Sequence, residues 1–259
     1  MTGEQALFHG ATGRVSCYGW CSRCHKVHGL QVGHARALCQ DVMHRLEQAK
    51  RIDWHVPEAQ ADPRLATDYL FGPARGQMFG VMEYVDAQGQ VGYAKAFSGQ
   101  YNGIWHVDGW VDPLVDTREM DRMCQPVERK IKDLGRTIAG LVANDPLRKE
   151  LIHQRRTLSK NLMRKIHGLY TVSNFRGETR PMADVFTGHG GMPTGTGDCC
   201  APKLLNHAVQ NQWIPLGIAE FYWGRENRSG SKRHGRFYPA CAEKCQPILG
   251  FMLCGLPGV

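Results

Sequence analysis

The 259 residues are 42% hydrophobic and 22% charged, and a chain of this length can bury the core of one large domain or two small ones. That composition excludes disordered and fibrous proteins. The first residues lack the basic and apolar segments of a secretion signal, and no window holds the roughly 18 consecutive apolar residues of a membrane span, so we expect a soluble, cytoplasmic protein without a membrane partner.

Cysteine content and charge narrow the expected chemistry. Ten cysteines in a cytoplasmic chain favour metal binding, catalysis or burial over disulfide bonds. The formal net charge of +8 favours an acidic partner, and nucleic acid is favoured over membrane because no basic amphipathic anchor is visible. Charge alone is a weak indicator, so the positions of the cysteines and cations carry more weight.

The first predicted elements are a Cys/His-rich segment and a helix, which together occupy residues 15–52. Prolines and acidic residues in 53–75 are typical of a linker. From Gln77 to Val115, runs of β-forming residues flank the turn-like segment 86–89, which predicts a β-hairpin, with 104–111 as a third strand.

Residues 118–168 have apolar positions at helical spacing in two stretches, separated by Asn144, Asp145 and Pro146, which predicts a projecting helical hairpin. The second stretch is strongly basic, with seven cations against one acid. Such a charge run is typical of a solvated helix face, but it also fits an arm that contacts RNA phosphates. The cations that would make those contacts are Arg148, Lys149, Arg155, Arg156, Lys160, Arg164 and Lys165.

The remaining residues are predicted to form a glycine-rich loop through Gly197, a helix over 199–211, a strand over 216–223 and a closing helix from about Ala240. Together with the hairpin, these elements predict an α/β domain over residues 76–259, with a mixed central sheet flanked by helices and the helical arm at 118–168. Residues 15–52 are predicted to form a zinc knuckle and helix in front of that domain.

Cys21 and Cys24 are separated by two residues, a spacing that lets one turn present both sulfur atoms to one metal ion. His28 and Cys39 are close enough in the sequence to complete a tetrahedral zinc site. Unligated, buried thiols are an alternative interpretation. Covalent haem attachment also fits the spacing from Cys21 to His25, but that chemistry normally requires export. Spacing does not separate the proposed ligands from three others, Cys17, His25 and His34.

A second group of cysteines lies in the last third of the chain. Cys199 falls at a predicted helix start, where backbone amides and the helix dipole lower a thiol pKa and favour the thiolate. Cys241 and Cys245, four residues apart, would lie on one face of the closing helix and chelate together. Three cysteines leave one zinc position open, which permits catalysis. If Cys200, His207 or His234 occupies that position instead, the site is structural.

This order of ligand-bearing helix, strand and cysteine pair is similar to that of the zinc-dependent nucleobase deaminases, in which a His or Cys and two Cys hold a zinc ion that activates water. The resemblance implies a cytidine-deaminase-like topology. Those enzymes place a glutamate two residues after the first ligand, where this chain has Ala201, and their cysteine pair is C-x-x-C. Glu220 and Asp198 are the candidate catalytic acid/base residues in its place.

A second resemblance is carried by six segments: MFGVMEYV, AFSGQYNGIWHVDGWV, PTGTGDCCAPKLLNHA, PLGIAEFYWG, RHGRFYPAC and KCQPILGFML. They look like the amino-terminal extension of long RluA-type RNA pseudouridine synthases, and the similarity spans most of the chain. The resemblance implies an RNA-related setting. In those proteins the extension is followed by a catalytic domain carrying the attacking Asp, and that domain is absent from these 259 residues, so pseudouridine formation is not expected.

The leading hypothesis is therefore a zinc-binding, RNA-associated accessory module with Zn²⁺ as its cofactor. A divergent zinc-dependent hydrolase acting on a nucleobase or nucleotide is one alternative. A protein-interaction subunit that docks on a separately encoded pseudouridine synthase is another.

Overall fold

A computed structural model describes residues 15–259 as an α/β structure. Its strands are β1 (Val15–Cys21), β2 (Lys26–Gln31), β3 (Gln77–Val85), β4 (Val91–Phe97), β5 (Thr171–Ser173), β6 (Thr179–Pro181), β7 (Ile214–Trp223) and β8 (Arg236–Tyr238). Its α-helices are α1 (Ala35–Ala49), α2 (Thr117–Gly140), α3 (Pro146–Gly168), α4 (Met182–Val185), α5 (Cys200–Gln210) and α6 (Gln246–Met252). Within this range, no helix combines the length and the apolar composition needed to cross a membrane.

The central sheet has four strands in the order β4-β3-β7-β8, and all three pairings are antiparallel. The predicted central sheet is confirmed, whereas its predicted mixed character is wrong. β3 and β4 are joined by a tight turn in which Asp86 accepts hydrogen bonds from the backbone amides of Gln88 and Gln90. A hairpin turn of this kind can join only antiparallel strands.

Both faces of the sheet are covered, which explains why β7 reads as a nearly continuous apolar run rather than as an alternating one. On one face, Phe79 of β3 stacks on Phe221 of β7 with ring centroids 5.6 Å apart, beneath buried residues of α1. On the other face, Met82 and Ile218 pack with the buried side of α5. The sheet is therefore the middle of three layers.

The hairpin formed by β1 and β2 packs on α6, at the carboxyl end of the described chain. The contact is close because two glycines meet there. A Cβ atom at Gly19 would overlap the backbone of Gln246 and Gly250, and one at Gly250 would overlap the carbonyl of Trp20. These glycines let the hairpin and the helix backbone touch, which brings cysteines from both ends of the chain together.

The predicted helical hairpin is present as α2 and α3, which pack against each other. Each helix begins at an aspartate. Asp116 accepts hydrogen bonds from the amides of Arg118 and Glu119, and Asp145 accepts one from the amide of Leu147. Pro146 follows Asp145 as the first helical residue, a position where its missing N–H costs nothing.

Three local predictions differ from the structure. Residues 104–111 form loops and an isolated bridge to Tyr101 rather than a third strand. Residues 53–75 are not an extended linker, because they contain three 3₁₀ helices that bury Leu65 and Leu70 in the core. The closing helix begins at Gln246 rather than near Ala240.

Candidate metal centres

Four donor side chains converge where the first hairpin meets α6: Cys21, Cys24, His28 and Cys254. One donor atom from each lies within 4.8 Å of all the others. Cys24 Sγ and Cys254 Sγ are 3.5 Å apart. Two thiolates bound to one zinc ion at about 2.3 Å in tetrahedral geometry are separated by roughly 3.8 Å. This group can hold a metal ion with four protein donors.

The hairpin positions three of these donors. Cys21 ends β1, and Cys24 lies in the turn that follows, which is closed by a hydrogen bond from the amide of His25 to the carbonyl of Cys21 at 2.9 Å. His28 lies on β2 opposite Gly19. The fourth donor, Cys254, is supplied by the turn after α6.

His28 gives independent support for a bound ion. Its side chain is only 2% exposed, and among residues 15–259 neither ring nitrogen has a hydrogen-bond partner of normal geometry. Burial, followed by the charge of Lys26, lowers the pKa of His28, so the ring is held in its neutral form. A buried, neutral imidazole with unpaired nitrogens is costly unless one nitrogen binds a metal.

Arg176 supplies positive charge beside this group. Its Nε lies 3.2 Å from Cys254 Sγ. Hydrogen bonds from Cys254, and then from Cys21 and Arg176, lower the pKa of Cys24. Three thiolates, a neutral histidine and a divalent ion carry a net charge of −1, which one guanidinium offsets.

Cys39 is the predicted ligand that the structure places elsewhere. It is fully buried on α1, and its thiol donates to the carbonyl of Ala219 at 3.4 Å. Burial raises its pKa, so it remains a neutral thiol. The alternative donors Cys17, His25 and His34 also lie outside the four-donor group. Helix α1 carries Cys39 away from the hairpin and onto the central sheet, a separation that proximity in the sequence does not reveal.

The second group contains Cys199, Cys241 and Cys245, again with all three sulfur atoms within 4.8 Å of one another. Cys199 is the residue before α5, and Cys245 is the residue before α6. The predicted convergence of these cysteines is therefore observed in space. Cys241 and Cys245 do not share a helix face as predicted; the amide of Cys245 bonds the carbonyl of Cys241 at 3.1 Å in a single turn.

The ionisation of these thiols differs from the prediction that Cys199 would be the thiolate. Hydrogen bonding with Cys241, together with burial, raises the pKa of Cys199. Hydrogen bonds with Cys199 and Cys245 lower the pKa of Cys241 well below its usual range. Among the three thiols, ionisation of Cys241 is therefore favoured over that of Cys199, because three neighbouring sulfur atoms cannot all be charged.

The side chains predicted to close this second group lie elsewhere. Cys200 points its thiol at the carbonyl of Met78, at 3.4 Å. His207 meets Trp213 edge to face, and His234 accepts a hydrogen bond from the amide of Gly224. Within residues 15–259, the group therefore offers three donors and no fourth.

The candidate acid/base residues Glu220 and Asp198 each accept a hydrogen bond from another part of the chain. Glu220 is buried on β7, and its carboxylate accepts a hydrogen bond from the amide of Ala201, at the start of α5, at 3.1 Å. Asp198 accepts a hydrogen bond from the hydroxyl of Tyr170 at 2.6 Å. Neither belongs to the three-thiol group, although the charge of Cys241 contributes to the raised pKa of Glu220.

Burial raises the pKa of Glu220 to about 7, and this shift predicts a pH-dependent stability. The folded chain keeps this proton between about pH 4.5 and 7, whereas the unfolded chain loses it, so the free energy of unfolding falls as pH rises through that window. Glu220→Gln keeps an oxygen acceptor for Ala201 but cannot ionise. We expect this variant to be more stable than the wild type at pH 8 by up to roughly 3 kcal/mol in urea unfolding.

The advantage of Glu220→Gln should narrow to about half at pH 5.5 and vanish toward pH 4.5. Glu220→Ala serves as the control, because it removes both the charge and the acceptor, and it should be less stable than Glu220→Gln at every pH. A pH-independent difference between Glu220→Gln and the wild type would show that Glu220 is not a buried, protonated carboxyl group.

The basic residues of α3 separate into two sets in the structure. Arg148 and Arg155 are half-buried, and the guanidinium of Arg155 lies 3.6 Å from the Cβ position of Gly135 on α2. The other five are exposed: Lys149, Arg156, Lys160, Arg164 and Lys165. Within residues 15–259, none of the seven forms an ion pair with a carboxylate.

Four of the exposed cations form one stripe along α3, namely Lys149, Arg156, Lys160 and Arg164. At about 100° per residue, they fall within a sector of roughly 80° and span about 22 Å of helix. A row of unpaired cations of this length can contact several successive phosphates of a nucleic acid.

No protein-family model, curated protein or solved structure matches this chain.

Proposed function

We propose that this chain is a zinc-stabilised, RNA-associated accessory module. The observation that carries the proposal is the convergence of Cys21, Cys24, His28 and Cys254 around one point, where the buried nitrogens of His28 find no hydrogen-bond partner in the described part of the chain. A closed set of three thiols and one imidazole is typical of structural zinc sites. The unpaired cation stripe on α3 supports the association with RNA.

Zinc is the metal that this donor set favours. Thiolate and imidazole ligands together select zinc over magnesium, calcium and manganese, which prefer oxygen ligands. Bound zinc would join the first hairpin to the turn after α6, so metal binding would contribute directly to the stability of the fold.

The relationship to the amino-terminal extension of RluA-type synthases is part of this proposal. It is supported by the sequence segments given above, three of which supply parts of the second thiol group and its surroundings: PTGTGDCCAPKLLNHA, RHGRFYPAC and KCQPILGFML. An accessory module in such a setting would hold RNA while other residues carry out the chemistry.

Two measurements on the purified protein test the two halves of the proposal. Elemental analysis should find zinc at two equivalents per chain, one for each donor group. Binding of fluorescein-labelled RNA can be followed by fluorescence anisotropy between about 50 and 300 mM salt. The affinity should fall steeply as the salt concentration rises, because phosphate contacts release counterions. Binding that does not change with salt would remove the RNA-contacting arm, whereas absence of zinc would remove the metal sites.

A second candidate function is supported by the three-thiol group. Structural zinc sites are closed, whereas catalytic ones keep a position for water or substrate. Glu220 lies outside this group, but burial and then the charge of Cys241 raise its pKa to about 7, which suits a residue that must both hold and release a proton near neutral pH. We therefore propose a zinc-dependent hydrolase acting on a nucleobase or nucleotide, with a deaminase-like arrangement, as the alternative.

The three-thiol group gives a specific prediction for both functions. Cys245→Ser should remove one of two zinc equivalents and leave the four-donor site loaded. If the group is catalytic, release of ammonia from cytidine, adenosine or RNA by the wild type should fall by at least about 100-fold in both Cys245→Ser and Glu220→Gln. A zinc-loaded wild type that releases no ammonia from any of these substrates would eliminate the deaminase alternative and leave the structural one.

A further inference from the structure

The loop between β7 and β8, residues 224–235, concentrates positive charge at one edge of the central sheet. The loop contains four Arg or Lys side chains and one acid, Glu226, and a fifth cation, Arg236, begins β8 directly after it. Glu226 is already engaged, because Arg233 Nε donates to its carboxylate at 3.1 Å. In the described part of the chain, the exposed residues Arg225, Arg228 and Arg236 form no ion pair.

Internal hydrogen bonds hold this loop in shape. The side-chain amide of Asn227 donates to the hydroxyl groups of Ser229 and Ser231 at 3.0 and 2.9 Å, and its oxygen accepts from the amide of Lys232 at 2.9 Å. Arg75 adds a hydrogen bond from its guanidinium to the carbonyl of Glu226 at 2.6 Å. The cations are thus presented on an ordered loop, which reduces the entropy lost when they bind a partner.

Aromatic rings lie next to these cations. His234 is exposed and lies between Trp223 and Phe71, with ring centroids 4.2 and 5.3 Å away. Phe71 is 46% exposed. Lys232 of the loop lies over the ring of Tyr238 on β8, with its Nζ 4.2 Å from the ring centroid. The surface therefore combines exposed cations with the exposed side chains of Phe71 and His234.

We propose that the β7–β8 loop, together with Phe71 and His234, is a second RNA-contact surface, specific for single-stranded rather than duplex nucleic acid. This inference rests on the proposed association with RNA, and it assigns part of that association to a surface separate from α3. Cations that lack carboxylate partners can neutralise phosphates without first breaking ion pairs. Exposed aromatic rings beside them can stack on unpaired bases, which a duplex does not offer.

The position of the loop connects it to the three-thiol group. Tyr238 pairs with Glu220 across the β7–β8 ladder, and the chain continues from β8 to Cys241. The loop and the second candidate metal centre are therefore connected through β8, since Cys241 follows three residues after the end of that strand.

The test compares variants of the 259-residue chain for binding to a fluorescein-labelled oligouridine of about 12 nucleotides, a length within the site size of single-strand-binding domains. Arg228→Glu combined with Arg236→Glu should weaken binding by about tenfold and reduce the slope of log affinity against log salt by roughly 1.4, or 0.7 for each lost phosphate contact. Phe71→Ala should weaken binding at least about fivefold with the slope unchanged, because stacking is not ionic. Arg129→Glu combined with Lys132→Glu on α2 is the control with the same change in charge.

The outcomes separate this inference from the proposed function. If loss of α3 cations weakens binding but the loop variant behaves like the α2 control, or if Phe71→Ala retains wild-type affinity, the loop surface is disproved while the RNA-associated module stands. If the wild type does not bind oligouridine at all, both fail. Equal competition by polyglutamate and oligouridine at matched charge would assign the loop to acidic proteins and overturn the inference.

Discussion

Cys254→Ser is expected to remove one zinc equivalent per chain, whereas Cys39→Ser should leave the zinc content unchanged. Cys254 faces Cys24 at 3.5 Å in the four-donor group, and Cys39 instead bonds the carbonyl of Ala219. Structural zinc sites contribute on the order of 10 kcal/mol to folding. Loss of one ligand should therefore destabilise the chain by at least about 3 kcal/mol, or roughly 10 °C in melting temperature.

The two variants form a matched pair because each replaces one fully buried thiol with a hydroxyl group. Serine at position 39 keeps a donor for Ala219, so Cys39→Ser should cost no more than about 1 kcal/mol. Zinc content measured by elemental analysis and melting followed by circular dichroism report the two effects. If Cys39→Ser loses zinc and Cys254→Ser keeps it, Cys39 is the fourth ligand, as the sequence spacing predicts, and Cys254 is not.

Reversing the exposed stripe on α3 is expected to have the largest effect on RNA binding. Arg156→Glu, Lys160→Glu and Arg164→Glu together remove three cations from one helix face. The slope of log affinity against log salt should then fall by roughly 2, since each lost contact with single-stranded RNA contributes about 0.7. Affinity near physiological salt should fall by about 100-fold or more.

Arg129→Glu, Lys130→Glu and Lys132→Glu on α2 provide the control for this experiment. They change the net charge by the same amount on the neighbouring helix, where Glu128 and Asp133 already interrupt the positive charge. This control should retain the wild-type slope and most of the affinity. Equal losses from the α2 and α3 triple variants would mean that net charge, and not a positioned stripe, drives binding.

The parts of the fold that the sequence predicts are those set by local rules. Asn144, Asp145 and Pro146 predict the break between α2 and α3 because a capping aspartate followed by proline is favourable only at a helix start. The segment 86–89 predicts the β3–β4 hairpin for a similar reason, since Asp86 closes its own turn. Pro247 is a local signal of the same kind for the start of α6, because proline is tolerated in the first turn of a helix but not in its interior.

The sequence does not predict the fourth ligand, Cys254, or the pKa order of the second thiol group, because both depend on contacts between distant parts of the chain. Cys254 joins Cys24 across 230 positions because Gly19 and Gly250 let the hairpin and α6 touch, and neither glycine predicts this contact alone. The selection of Cys254 over Cys39 is therefore a consequence of packing and not of spacing. Similarly, hydrogen bonds between the thiols, together with burial, raise the pKa of Cys199 and lower that of Cys241, and these contacts exist only in the folded chain.

The central claim is that one zinc ion lies among Cys21, Cys24, His28 and Cys254, and crystals of the purified protein measured at the zinc absorption edge would test it directly. An anomalous peak should appear about 2.3 Å from the three sulfur atoms and about 2.0 Å from a ring nitrogen of His28. A disulfide between Cys24 and Cys254, or density in which His28 contacts only protein atoms and no anomalous peak lies nearby, would contradict the account.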